Sequence, residues 1–136
     1  MIIDTSAIMA ILQEEVEAPQ LLRAIEDTTV CRMSAGTLVE LFVVTERQKD
    51  PDARRILDAF LQELDADVVP VTEAHARIAR DAYNAYGKGR GVRAQLNVGD
   101  CFAYALARER NEPLLFVGSD FIHTDITPTL EPSGAD

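Results

Sequence analysis

The sequence predicts an α/β domain with a mainly parallel central sheet and helices on both faces. Three observations carry that prediction. Short apolar or β-branched runs alternate along the chain with longer segments of helical periodicity. Most of those longer segments open on a helix-start residue. The 136 residues amount to one domain, with no internal repeat and no interdomain linker. The domain reads as 1–130, and "EPSGAD" at 131–136 reads as a disordered tail.

The elements follow in order. "MII" is a first strand. "TSAIMAIL" at 5–12 is a helix with Ile8, Ile11 and Leu12 at helical spacing and Thr5 or Ser6 as its N-cap. Pro19 suits the first turn of a second helix, "PQLLRAIED". "TVCRM" at 29–33 is a second strand, and Ser34 caps the long apolar helix "AGTLVELFVVTERQ". Asp50 followed by Pro51 starts "DARRILDAFLQEL". "DVVPV" at 67–71 is a third strand, with Pro70 marking its end or an edge. Thr72 starts "EAHARIARDAYNAY", in which His75 reads as a surface residue. A glycine-rich loop, "GKGRGVRAQLN", leads to the helix "GDCFAYALARER" and the apolar strand "LLFVG". "SDFIHTD" connects to "ITPTL", a candidate last strand.

A domain of this size buries roughly two thirds of its unfolded-chain surface, so its core needs neither disulfide nor structural metal. Cys31 and Cys101 stand apart, outside any zinc spacing, and read as reduced and partly buried. No apolar stretch reaches the ~18 residues of a membrane span. The opening has an acid at position 4 and no basic segment, unlike a signal peptide. The expected compartment is the cytosol.

The formal net charge of -10 argues by itself against nucleic acid. The charge is uneven, however. From Ala82 to Gly99 there is no acid, while Lys88, Arg90 and Arg93 fall inside. Taken alone, that stretch is either a solvated basic loop or a phosphate contact.

Four acids are awkward as surface residues. Asp4 ends the first strand. Glu40 lies in "LVELFVV", apolar nearly all round. Asp100 opens the helix after the basic loop, and Asp120 lies just beyond "LLFVG". Ligands of open α/β sheets bind outside the carboxyl ends of strands, where these acids fall. Singly, each has an ordinary use: a cap for Asp4, a first-turn acid for Asp100, a turn for Asp120, an arginine partner for Glu40. Jointly, clustered carboxylates call for a cation, and oxygen-only ligands select Mg²⁺ or Mn²⁺. Such a site suits phosphodiester hydrolysis by metal-activated water. His123 stands near Asp120 and Asp125 without a partner set, so it reads as surface or structural.

These residues, in this order and spacing, resemble the PIN-domain ribonucleases, and more closely the VapC-type toxins of bacterial toxin–antitoxin pairs. The matching segments are "IDTSA", "TLVEL", "YGKGR", "LNVGDCFAYALA" and "LLFVGSDFIHTDI". The resemblance implies a PIN-like three-layer fold and a Mg²⁺-dependent endoribonuclease, with Mn²⁺ as a substitute. It implies an RNA substrate, a homodimer and a cognate antitoxin protein. Asp4 and Asp100 carry over as metal-binding acids, Glu40 and Asp120 complete the site, and Asp125 is a further member. Thr5 and Ser6 would support Asp4 by hydrogen bonds. Lys88, Arg90 and Arg93 would hold RNA phosphates. The apolar residues of the first two helices, Ile8, Ile11, Leu12, Leu21, Leu22 and Ile25, would offer a surface to the antitoxin.

Three rival readings also fit parts of the sequence. An aspartyl phosphohydrolase with Asp4 as nucleophile usually wants an acid two residues on, and Ser6 stands there. A receiver domain wants a lysine after a late strand, which Gly118-Ser119-Asp120 lacks. A non-catalytic binding module would not need the four acids.

Overall fold

A computed structural model describes residues 1–131. Its sheet has strands β1 (Ile2–Ile3), β2 (Arg32–Ser34), β3 (Asp67–Val69) and β4 (Leu114–Leu115), in the order β3-β2-β1-β4. All three pairings are parallel, with Ile2 opposite both Arg32 and Leu114 and Met33 opposite Val68. Six helices accompany it among the described residues: α1 (Thr5–Leu12), α2 (Ala18–Asp27), α3 (Ala35–Arg47), α4 (Pro51–Leu64), α5 (Glu73–Tyr86) and α6 (Val98–Arg110).

Successive strand residues point to opposite faces, and the two cores follow that rule. Ile2 and Leu114 join Ala82, Leu96, Tyr104, Leu106 and Phe121 on one side. Ile3, Met33 and Leu115 join Ile8, Leu21, Leu41 and Leu57 on the other. β1 and β4 are therefore apolar on both faces, as a helix-covered parallel sheet demands, whereas β2 is apolar only at Met33. Full burial of each such side chain contributes about 1.5–3 kcal/mol.

The predicted α/β class and the layering hold, and five local readings are corrected. Asp4, not Thr5 or Ser6, caps α1: its carboxylate accepts from Ser6 N–H. The second strand lies at Arg32–Ser34, pulled past the β-branched residues by the bond from Arg32 N–H to the Met1 carbonyl (2.9 Å). Arg32 is tolerated there because Glu112 (2.6 Å) and Asp67 (3.6 Å) neutralise it. "ITPTL" contributes a single bridge, Pro128 beside Leu114, rather than a strand. His75 is buried, with Nε2 2.6 Å from Glu109 Oε1, so it joins α5 to α6.

The last correction concerns the apolar residues of α1 and α2. Ile8, Ile11 and Leu21 belong to the core, Leu12 and Ile25 are half-buried, and Leu22 is exposed. Most of that stripe is already used by this chain. Pro70 follows the end of β3, the edge strand, where its missing N–H costs nothing. Both cysteines are free, Cys31 half-buried and Cys101 buried. The tail expected at 131–136 lies, beyond Glu131, outside the described residues. No helix among them is long and apolar enough to cross a membrane.

Candidate active site

After β1 the chain builds β2 and β3 to one side, then returns to place β4 on the other. That reversal makes the β1/β4 boundary the topological switch point, where open α/β sheets form a crevice. Asp4 stands at its centre. Its backbone N–H donates to the Leu115 carbonyl at 3.0 Å. Its Oδ2 accepts from Ser6 Oγ–H (2.7 Å) and Ser6 N–H (3.1 Å). Ser6 Oγ in turn accepts from Val117 N–H at 3.0 Å, which ties the cap of α1 to the exit of β4. Asp4 is 3% exposed, and its other oxygen, Oδ1, is buried with no hydrogen-bond partner.

Glu40 arrives from the second turn of α3. Its Oε1 accepts from Thr5 Oγ–H at 2.7 Å. Arg32, Arg54, Arg55, Arg77 and Arg108 pair with other acids, namely Glu112, Glu46, Asp52, Glu73 and Asp125. Thr5 thus supports Glu40 with its side chain and Asp4 through its backbone, while Ser6 supports Asp4 with both.

Asp100 arrives from the first turn of α6. Asn97 caps that helix: its Oδ1 accepts from Asp100 N–H (2.9 Å), and Asp100 Oδ2 accepts from Asn97 N–H (3.0 Å). This reciprocal capping box fixes the carboxylate's position. Asp120 follows a turn at Gly118, whose φ of +96° suits glycine.

The neighbouring acids act on Asp4 and Asp100. Burial pushes Asp100 up to about 8, and the charges of Asp4, Asp120 and Glu40 add to the rise. Burial raises Asp4 to about 6, against the bonds from Ser6 and with help from Glu40. Desolvation is the larger cause in both, ahead of like-charge repulsion.

Does this site suit a hard divalent cation? The donors are all carboxylate oxygens, one is a buried orphan, and the group carries surplus negative charge; a cation answers all three conditions. Among the described residues no three acids, histidines or cysteines stand as a finished cage. Mg²⁺ does not require one, because it keeps several waters and is held by one or two carboxylates.

Asp125 is engaged elsewhere. Its Oδ1 accepts from Tyr104 Oη–H at 2.6 Å, and its Oδ2 lies 3.5 Å from Arg108 Nε. His123 is half-buried in the turn between Asp120 and Asp125. The basic loop is pinned at its base, where Lys88 N–H donates to Leu96 O (2.9 Å) and Leu96 N–H to Tyr86 O (3.0 Å). Lys88, Arg90 and Arg93 are exposed on it, and the Arg90 guanidinium lies 5.7 Å from the Tyr83 ring centre. Its last residue before the cap of α6 is Leu96, so the loop feeds directly into the helix that carries Asp100.

Two residues beside the site escaped the sequence reading: Asn97, and Gly99, whose backbone lies against the Glu40 carboxylate. The spacing Asn-x-x-Asp is a capping-box signature and would have found the first. A glycine inside a helix start, where alanine would be better, was the signal for the second.

Fold and site together define a class: a parallel α/β domain with a buried aspartate, Asp4, at the strand ends of its switch point and the helix-borne Asp100 close enough to feel its charge. The PIN domain family profile matches residues 1–126. Ribonuclease VapC28 of Mycobacterium tuberculosis is 47% identical over 131 residues, covering 96% of this chain and 98% of its own. Ribonuclease VapC42 of the same organism is 46% identical over 128 residues, covering 94% and 98%. The crystal structure of M. tuberculosis VapC20, described as a sarcin–ricin loop cleaving toxin, superposes with a TM-score of 0.74 at 17% identity, covering 96% of this chain and 98% of its own. The Rickettsia felis VapBC2 structure, bound to a promoter DNA fragment, gives 0.71 at 15% identity, covering 93% and 94%. The chain belongs to the PIN-domain family, among its VapC-type members.

Proposed function

We propose that this chain is a Mg²⁺-dependent endoribonuclease and the toxin of a toxin–antitoxin pair, acting in the cytosol. What supports the reading is the buried, unpartnered Oδ1 of Asp4, together with the charges of Asp4, Asp120 and Glu40 that act on Asp100. The relatives named as ribonucleases support the reaction type. A related structure that is a toxin–antitoxin complex, from Klebsiella pneumoniae, supports the partner.

Asp4 and Asp100 would hold the metal, Mg²⁺ or Mn²⁺, with Glu40 and Asp120 completing the charge. Bound there, the ion supplies a water of lowered pKa and a countercharge for the phosphodiester. The chain's own residues do the positioning. Ser6 fixes one oxygen of Asp4, Thr5 holds Glu40, and Asn97 holds Asp100. Lys88, Arg90 and Arg93 would take backbone phosphates of RNA, which reconciles an acidic protein with a polyanionic substrate. An antitoxin would neutralise the site by placing an arginine among the carboxylates, and the active form would be a homodimer.

The test is cleavage of RNA by purified protein with Mg²⁺ or Mn²⁺, with EDTA, and with Asp4→Asn or Asp100→Asn. Metal-dependent cutting lost in both variants is expected. Undiminished cutting in EDTA refutes the reading, and an acid-trapped phospho-aspartate in its place would identify Asp4 as a nucleophile. Sequencing of RNA 5′ ends after brief induction identifies the target.

A further inference from the structure

We infer that Gly99 is a positioning residue of the acidic site, and that it works by leaving the space which the Glu40 carboxylate occupies. The inference rests on the reading of Glu40 as a site acid. A Cβ built on Gly99 would overlap that carboxylate, and its three nearest heavy atoms would all belong to Glu40. The other side of the carboxylate is held by Thr5 Oγ–H at 2.7 Å. Glu40 is therefore clamped between α1 and the bare backbone of α6.

The crossing of α3 and α6 is reciprocal. Gly36 and Glu40 stand four residues apart on α3, and Gly99 and Phe102 stand three apart on α6, so each pair lies along one helix face. A Cβ on Gly36 would overlap the Phe102 ring. Each helix thus supplies one glycine to seat a side chain of the other. The two seats differ in what must yield. Phe102 is half-buried, and the overlap reaches its Cγ, at the root of the ring, which moves far less readily than a side-chain end. The Glu40 carboxylate is the far end of a flexible side chain and can swing away. Gly36 therefore serves packing, whereas Gly99 serves the placement of one charge.

That difference sets the experiment. Gly99→Ala replaces a poor helix former with the best one, and the three heavy atoms nearest the new Cβ all belong to the flexible end of Glu40, so its melting temperature in EDTA is expected at or above that of the wild type. Its Mn²⁺ affinity by calorimetry and its RNA cleavage are expected to fall roughly 10- to 100-fold, the usual loss when a supporting residue is removed from a metal site. Gly36→Ala is expected to melt lower.

Glu40→Asp, one methylene shorter, is expected to restore part of the loss in the Gly99→Ala background. Adding Gly99→Ala to Glu40→Gln is expected to cost nothing further, because the second change has no carboxylate left to displace. A crystal structure of Gly99→Ala, with the Glu40 carboxylate turned away from Thr5, would support the inference independently of activity.

Wild-type affinity in Gly99→Ala overturns the inference, as does Glu40 still bonded to Thr5 in that variant. Fully additive losses overturn it too, by making Gly99 a general support of α6. Wild-type behaviour of Glu40→Gln overturns instead the underlying reading of Glu40, which the crystal structure of Gly99→Ala keeps distinct from the seat itself.

Discussion

Thr5 and Glu40, 35 residues apart in sequence, share a hydrogen bond of 2.7 Å that ties the first turn of α1 to the second turn of α3. Thr5 follows Asp4 directly, so the bond carries the position of one site acid to another. Thr5→Val keeps the shape and removes the donor. Bonds to charged acceptors are worth about 1.5–3 kcal/mol, but Glu40 is half-buried and regains water. The expected result is a melting temperature changed by a few degrees at most, with metal affinity and RNA cleavage reduced roughly tenfold. Calorimetry with Mn²⁺ and a cleavage assay check it. Unchanged affinity would mean that Glu40 needs no holder.

Lys88, Arg90 and Arg93 project from a loop closed by the two bonds between Tyr86, Lys88 and Leu96. The closed base argues that charge can be changed at the tip without disturbing α6. Lys88→Glu with Arg90→Glu is expected to weaken RNA binding and to flatten the dependence of log K on log salt by about 0.7 for each phosphate no longer neutralised. Metal affinity should stay at the wild-type value. An unchanged salt slope would show that this loop is a solvated surface and that RNA approaches from elsewhere.

Asp125 is expected to serve structure. Tyr104 Oη–H donates to it, and burial together with that acceptor raises the tyrosine's pKa. The bond fastens α6 to the segment that carries Asp120. Tyr104→Phe removes the donor and leaves an exposed carboxylate that water can serve. The expected cost is about 1 kcal/mol of stability, read by denaturant unfolding. Wild-type metal affinity should remain. A large loss of metal affinity in Asp125→Asn would return Asp125 to the acidic site.

What the sequence disclosed depended on how local each cause was. Asp4 and Asp120 were legible because a charge just past an apolar strand breaks a pattern within a few residues. Asp100 was legible for a similar reason, as an acid in a first helical turn. Glu40 was legible as an acid in an apolar helix, but its partner Thr5 was not, because no spacing rule links residues that meet only after the sheet forms. His75 was misread for the same reason: Glu109 lies 34 residues away and buries it at the α5–α6 contact. The second strand was displaced because backbone pairing with β1 outweighed the β-preference of Thr29 and Val30. Gly99 carried a penalty visible in the sequence, while the charge it accommodates comes from another helix.

The pH dependence of stability follows from Asp4 and Asp100, with pKa values of about 6 and about 8 in the folded chain against an ordinary 3.8. An acid with a raised folded pKa adds stability while both states are protonated, below about pH 4, and that contribution is lost as pH rises through the folded value. For this pair the loss spans pH 4 to 8, so metal-free protein is expected to melt progressively lower across that window. Mg²⁺ should raise the melting temperature, by the equivalent of about 2.7 kcal/mol at a hundredfold excess over Kd. The rise should be larger at pH 8 than at pH 6, because binding at the lower pH must displace the Asp100 proton. Asp100→Asn keeps an oxygen to accept from Asn97 N–H, so the cap of α6 survives while the charge goes. In EDTA at pH 8 it should therefore melt higher than wild type, and it should lose most of the response to Mg²⁺. Melting curves across pH, with and without metal, check both proteins. A lower melting temperature for Asp100→Asn, with no metal response in the wild type, would make these acids structural partners rather than ligands.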